Sequence, residues 1–182
     1  MRIAISGAQC VGKTVLLKAI KSDSMFNDFF ICESPTRKVN NNGFKINEFG
    51  NDNTQLEIIK THISNIKSNH RDMFFDRCLL DSLVYTHYLY MNNQVSIETL
   101  EFAKKCFIDN FVKYDLICYI APEFDIEKDN IRSDSIEFRN AITSIFDFYI
   151  NYYNIKIIQL TGTIENRLNQ LKNNFKYFNI NK

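Results

Sequence analysis

The sequence predicts an α/β fold, one parallel sheet of five strands with helices on both faces. Two observations carry that expectation. Short, nearly all-apolar runs recur along the 182 residues, each followed by a longer helix-like stretch. Runs that short, with no polar alternation, fit strands covered on both faces, and strands alternating with helices build a parallel sheet. The chain has no internal repeat and no Pro/Gly/Ser-rich linker, with only two prolines and five glycines in all. Residues 1–182 therefore read as a single domain.

Taken in order, Arg2–Ser6 reads as the first strand and 13–22 as the helix after it. Phe29–Cys32 is the second strand, ahead of a helix over 54–68, and Met73–Phe75 is the third, ahead of helices over 78–91 and 97–111. Asp115–Ile120 and Ile155–Leu160 complete the sheet, followed by helices over 134–151 and 164–176. Two stretches break the rhythm. Residues 34–53 hold Pro35, Gly43, Gly50 and an Asn run at 40–42, and read as a long mobile substrate loop with one helical turn at Thr36–Val39. The charged stretch after Pro122, with the start of the next helix, reads as a lid over 121–139. Long loops at the carboxyl edge of such a sheet are where ligands bind.

Composition excludes several classes. Lys+Arg at 22 against Asp+Glu at 21 leaves a formal charge of +1, which argues against a nucleic-acid partner. No apolar run approaches the roughly 18 residues of a membrane span, and the short run after Met1 is no signal peptide. The five cysteines are odd in number and include no CxxC pair, so they read as reduced thiols of a cytoplasmic protein. His62, His70 and His87 show no ligand spacing and read as surface or half-buried helix residues. Phe146, Phe148, Tyr149, Tyr152 and Tyr153, at helical spacings, read as core. Oligomeric state is not written in the sequence, and a homodimer stays open.

The stretch Gly7-Ala8-Gln9-Cys10-Val11-Gly12-Lys13-Thr14 fits G-x-x-x-x-G-K-[ST] in full, directly after a strand and opening a helix. Backbone N–H groups of such a loop, with the positive end of the helix dipole, hold phosphate oxygens. Lys13 would reach the β/γ-phosphates of ATP and the Thr14 hydroxyl would ligate Mg²⁺. The motif in that setting predicts a three-layer P-loop NTPase fold.

Further candidates lie at other strand ends. Asp76 closes the third strand, where a carboxylate holds Mg²⁺ or accepts a hydroxyl proton, and Arg77 beside it suits a phosphate. Glu33 ends the second strand as a general base or hydroxyl anchor for an acceptor, with Arg37 as an anion clamp. Arg132 and Arg139, on the lid and the helix after it, would neutralise charge on a transferring phosphoryl group. A cap at Ser133 or Asp134 with Glu137 in the first turn explains that segment equally well. Gly162 follows the fifth strand, and Thr161 or Thr163 reads as an N-cap.

With those residues in view, the chain resembles the nucleoside and nucleotide kinases among P-loop proteins. It is most similar to the AAA-like ATPase/kinase family that includes the ribosylnicotinamide kinase domain and many phage-encoded proteins. Phe75-Asp76-Arg77-Cys78-Leu79-Leu80-Asp81-Ser82-Leu83-Val84-Tyr85 resembles the Asp-Arg segment of thymidylate and deoxynucleoside kinases. Glu33-Ser34-Pro35-Thr36-Arg37 resembles the Glu-x-x-x-Arg segment of the ribosylnicotinamide kinase-like family, and Pro122–Arg139 resembles its lid, with Asn130 where that family usually carries Gly. The resemblance implies the strand order 2-3-1-4-5, ATP with Mg²⁺, a backbone approach to adenine at Gly162, and an acceptor between P-loop and lid. The expected activity is phosphoryl transfer from ATP to a small-molecule acceptor, a nucleoside or nucleoside monophosphate. Ribosylnicotinamide phosphorylation and a nucleotide-dependent regulatory module are the alternatives. No N-K-x-D segment for guanine occurs, and the near-zero charge disfavours a polynucleotide 5′ end.

Overall fold

The structure, a computed structural model, describes residues 1–124 and 135–180. Five parallel strands, β1 (Arg2–Ser6), β2 (Phe30–Cys32), β3 (Met73–Asp76), β4 (Leu116–Tyr119) and β5 (Ile158–Gln159), lie in the order β2-β3-β1-β4-β5. The predicted architecture and strand order are both observed. Apart from Arg2, Ser6 and Asp76 at strand ends, the three central strands are apolar because they are covered on both sides: Ile3, Ala4, Ile5, Met73, Phe74 and Cys118 are fully buried. Helix α1 (Lys13–Lys21) packs with α7 (Ile164–Ile180), while α4 (Leu79–Met91) packs with α3 (Asp52–Ile66), α5 (Ile97–Asn110) and α6 (Ile136–Tyr152).

Register places the functional edge. Ile5 pairs with Asp76 and Ser6 with Tyr119, while Phe75 pairs with Cys32. The chain therefore leaves β1, β2, β3 and β4 along one carboxyl edge, which gathers residues distant in sequence into one site.

Residues 34–53 are more structured than the sequence suggests. Helix α2 (Pro35–Asn41) spans seven residues there, and a 3-10 turn covers Asn47–Phe49. Pro35 at the first helical position has a backbone already shaped for a helix, and with Val39 it is buried as α2 packs on α3. The Asn run that looked like loop composition is the end of this helix. Of the stretch read from the sequence as a lid, residues 125–134, and with them Arg132 and the candidate caps Ser133 and Asp134, lie outside the described residues. The observed cap of α6 is Ser135, whose Oγ accepts from Phe138 N at 3.0 Å. In the same way Thr163, rather than Thr161, caps α7 by accepting from Asn166 N at 3.2 Å.

The aromatic set on α6 divides. Phe146 and Tyr149 are core, but Phe148 and Tyr152 are exposed, as an amphipathic helix with one outward face requires. Cys32, Cys78, Cys106 and Cys118 are buried free thiols, and burial raises each one's pKa, that of Cys118 to about 12. Among the described residues no helix is long and apolar enough to cross a membrane.

Candidate functional site

Between β1 and α1 the chain makes a loop that only glycine permits at its two ends. Gly7 has φ +136°, and a Cβ there would stand 2.3 Å from the carbonyl oxygen of Ile120. Gly12, at φ +87°, opens α1 with no side-chain cap, leaving the first helical N–H groups to a ligand. The Lys13 ammonium folds back over the loop and donates to Gly7 O at 2.7 Å and also to Ala8 O. That places its charge at the centre of the loop, buried against backbone oxygens.

The loop floors a cleft of about 110 Å³ whose walls include Thr14, Ser34, Arg37, Asp76 and Arg77. Arg37, on α2, reaches across it and donates from Nη2 to Thr14 Oγ1 at 3.4 Å. Asp76 is buried at the end of β3, and it lines the same cleft as Thr14. Two hard oxygen donors beside a phosphate loop fit a Mg²⁺ that keeps much of its water shell.

Arg77 is held by its neighbours. Its backbone is left-handed at φ +76°, its Nη1 donates to Asp81 Oδ1 at 3.1 Å and to Gly7 O at 3.3 Å, and its guanidinium lies 4.9 Å from the Tyr85 ring centroid. Asp81 escaped the sequence reading as a site residue. At the third position of α4 it accepts from Cys78 N at 3.0 Å, completing a capping box. The same carboxylate also accepts from Ser6 Oγ at 2.7 Å and Gly7 N at 3.4 Å. One buried acid thus ties the α4 cap, the start of the loop and Arg77 together. Tyr85 completes the cluster, its hydroxyl donating to Gln9 Oε1 at 3.0 Å.

A second arginine missed by sequence reading closes the other end of the loop. Arg167 of α7 is 1% exposed, donates from Nη1 to Val11 O at 2.6 Å and pairs through Nη2 with Glu123 at 2.9 Å. Glu123 also accepts from Gly162 N at 2.7 Å, and Phe124 lies under the Arg167 guanidinium at 5.7 Å. Its only sequence signal was an arginine at helical spacing among the apolar residues Ile164, Leu168 and Leu171 of α7.

The structure thus gathers Gln9, Cys10, Val11, Gly12, Lys13, Thr14, Arg37, Asp76 and Arg77 around one cleft, with Gly7 and Ala8 beneath Lys13. Three candidates stand elsewhere. Glu33 is exposed and does not line the cleft; the next residue, Ser34, does. Arg139 is buried on α6, donates from Nη1 to Phe124 O at 2.8 Å, and is likewise not a cleft residue. Gly162 is occupied with Glu123. His62, read as a surface or half-buried histidine, is 1% exposed beside Asp81 and Arg77, and burial pulls its pKa down to about 4.

A Walker-type loop joining the central strand to a helix, on a parallel sheet of order 2-3-1-4-5, defines a P-loop protein with a kinase-like fold. Residues 2–167 match the AAA domain family, and the chain belongs to it. Among solved structures it is similar to deoxyadenosine kinase from M. mycoides with dCMP and a flexible dCDP bound, at TM-score 0.68 and 15% identity over 97% of this chain and 100% of that one. It is also similar to NadR protein in complex with NR, at TM-score 0.66 and 16% identity over 88% of this chain. The chain spans 45% of that NadR chain. At such identities the likeness is one of fold. A search of curated proteins finds no match.

Proposed function

We propose that this protein is an ATP-dependent kinase that transfers the γ-phosphoryl group to a nucleoside or nucleoside monophosphate. The observation that carries the reading is the shared cleft: a phosphate loop with Lys13 at its centre opens directly onto Asp76, Arg77 and Arg37. A donor site would need only the loop and a carboxylate for its metal. Here two arginines face it as well, Arg37 from α2 and Arg77 just past β3, where a second small molecule can be oriented.

The loop N–H groups and Lys13 hold the donor phosphates. Thr14 and Asp76 would hold Mg²⁺, which would supply charge neutralisation on the donor. Asp76 is also the carboxylate placed to accept the acceptor's hydroxyl proton, a role that passes from Glu33 because Glu33 lies outside the cleft. Arg37 and Arg77 compensate negative charge on the transferring group. Most of the rate acceleration then comes from positioning and preorganised charge.

The test is ADP release from ATP and Mg²⁺ across deoxynucleosides, deoxynucleoside monophosphates and nicotinamide riboside, with a no-acceptor control. Release that depends on one acceptor class is expected, with loss of activity in Lys13→Ala at unchanged fold. Equal release with and without acceptors would reduce the protein to an NTPase and sink the reading.

A further inference from the structure

Past Arg77 the cleft continues into a recess between α3 and α4, bounded by Thr36, Asn47, Gln55, His62, Ser82 and Tyr85. Its volume is about 20 Å³, enough for about one water-sized group. Two of its lining residues carry buried polar atoms without a hydrogen-bond partner, His62 Nε2 and Ser82 Oγ. Those residues are 1% and 3% exposed, and buried polar atoms are as a rule paired.

The charged groups nearby are already engaged. Both Asp81 oxygens accept hydrogen bonds, from Arg77 and Gly7 on one side and Ser6 and Cys78 on the other. Gln55 Oε1 accepts from Thr86 Oγ1 at 3.1 Å. His62 is neutral, since burial outweighs the opposing influence of Asp81. A neutral imidazole nitrogen and a hydroxyl together offer donor and acceptor capacity but no charge. A charged group entering here would lose its hydration and find no free counter-ion.

Resting on the proposed kinase reading, we infer that this recess receives one uncharged hydrogen-bonding group of the acceptor, such as an exocyclic amino or carbonyl group of a nucleobase, read by His62 and Ser82. The acceptor's ring then lies at the mouth of the recess beside Thr36, Asn47 and Arg77, the residues shared with the phosphate cleft. Acceptor choice is thereby set by the edge of the base, on elements separate from the phosphate loop.

The experiment is titration calorimetry of nucleosides without ATP, on the whole chain and on Ser82→Ala and His62→Phe, with ADP binding measured in parallel. Ser82→Ala removes only the hydroxyl and preserves helix α4, so it serves if His62→Phe is poorly folded by circular dichroism. The ligands are adenosine, deoxyadenosine, deoxycytidine and thymidine, each set against its own analogue lacking the exocyclic group, purine riboside in the case of adenosine. Wild type is expected to bind its preferred nucleoside at least ~10-fold more tightly than the analogue without that group, a conservative bound for a buried polar contact. Both variants are expected to lose that preference while ADP affinity holds. Unchanged preference in Ser82→Ala, or no nucleoside binding by wild type, would overturn the inference. A preference that depends on Ser82 in a protein with no phosphoryl transfer would instead keep the recess and remove the kinase.

Discussion

The two ends of the phosphate loop are each fastened by an arginine–carboxylate pair, and the pairs are built differently. At the Gly7 end, Arg77 and Asp81 are four residues apart with side chains 11% and 2% exposed. At the Val11 end, the side chain of Arg167 is 2% exposed but that of Glu123 is 25% exposed and 44 residues away. The first pair is part of a helix cap and forms with its helix. The second joins α7 to the segment after β4, and its carboxylate faces water. A carboxylate sealed among its donors makes a rigid anchor, whereas a half-open one makes a tie that can be exchanged at lower cost.

Removing each partner should expose that asymmetry. Asp81→Ala strands Arg77, Ser6 and the Gly7 amide at once, and is expected to cost about 3–5 kcal/mol, the usual range for breaking a buried pair. Urea unfolding would show it as a drop in midpoint at unchanged slope, and a loss below 1 kcal/mol would place the anchor elsewhere. The Asp81 end also carries a pH dependence through His62. Its folded pKa of about 4 lies below the ordinary 6.5, so the unfolded chain binds more protons between those values. Stability is therefore complete above pH 6.5 and falls as pH drops toward 4, by on the order of 3 kcal/mol. His62→Gln should flatten denaturation midpoints across that window. Arg167→Met, which leaves Val11 O unpaired, is expected to cost about 2 kcal/mol. Glu123→Gln retains a hydrogen-bonding oxygen at a part-exposed site and should cost under about 1 kcal/mol. If Glu123→Gln proved as damaging as Asp81→Ala, the contrast between the two ends would collapse.

The same contrast marks how far the sequence could be read. The strands, the loop and the Asp76–Arg77 pair were legible because each is local: an unbroken apolar run, a fixed spacing, an acid at a strand's end. Asp81 was hidden in plain view, since an acid in a first helical turn is explained by the cap alone; its bonds to Ser6 and Gly7 arise only when β1 and β3 lie side by side. Arg167 has its partners 156 and 44 residues away, and no spacing rule reaches that far. Glu33 and Ser34 show the reverse limit, because one residue of offset at the end of β2 decides which of them faces the cleft. Helix α2 was obscured by composition, the Asn run at its end and Gly43 beyond it reading as loop while packing on α3 supplied what propensity lacked.

One feature of the loop also makes the protein its own reporter. Of the five cysteines four are buried, and Cys10, in the loop at φ 57°, is the one whose surface is substantially open. A thiol reagent should therefore label the native chain first at this sulfur, at the spot a nucleotide would cover, so that its protection reads out occupancy of the cleft directly.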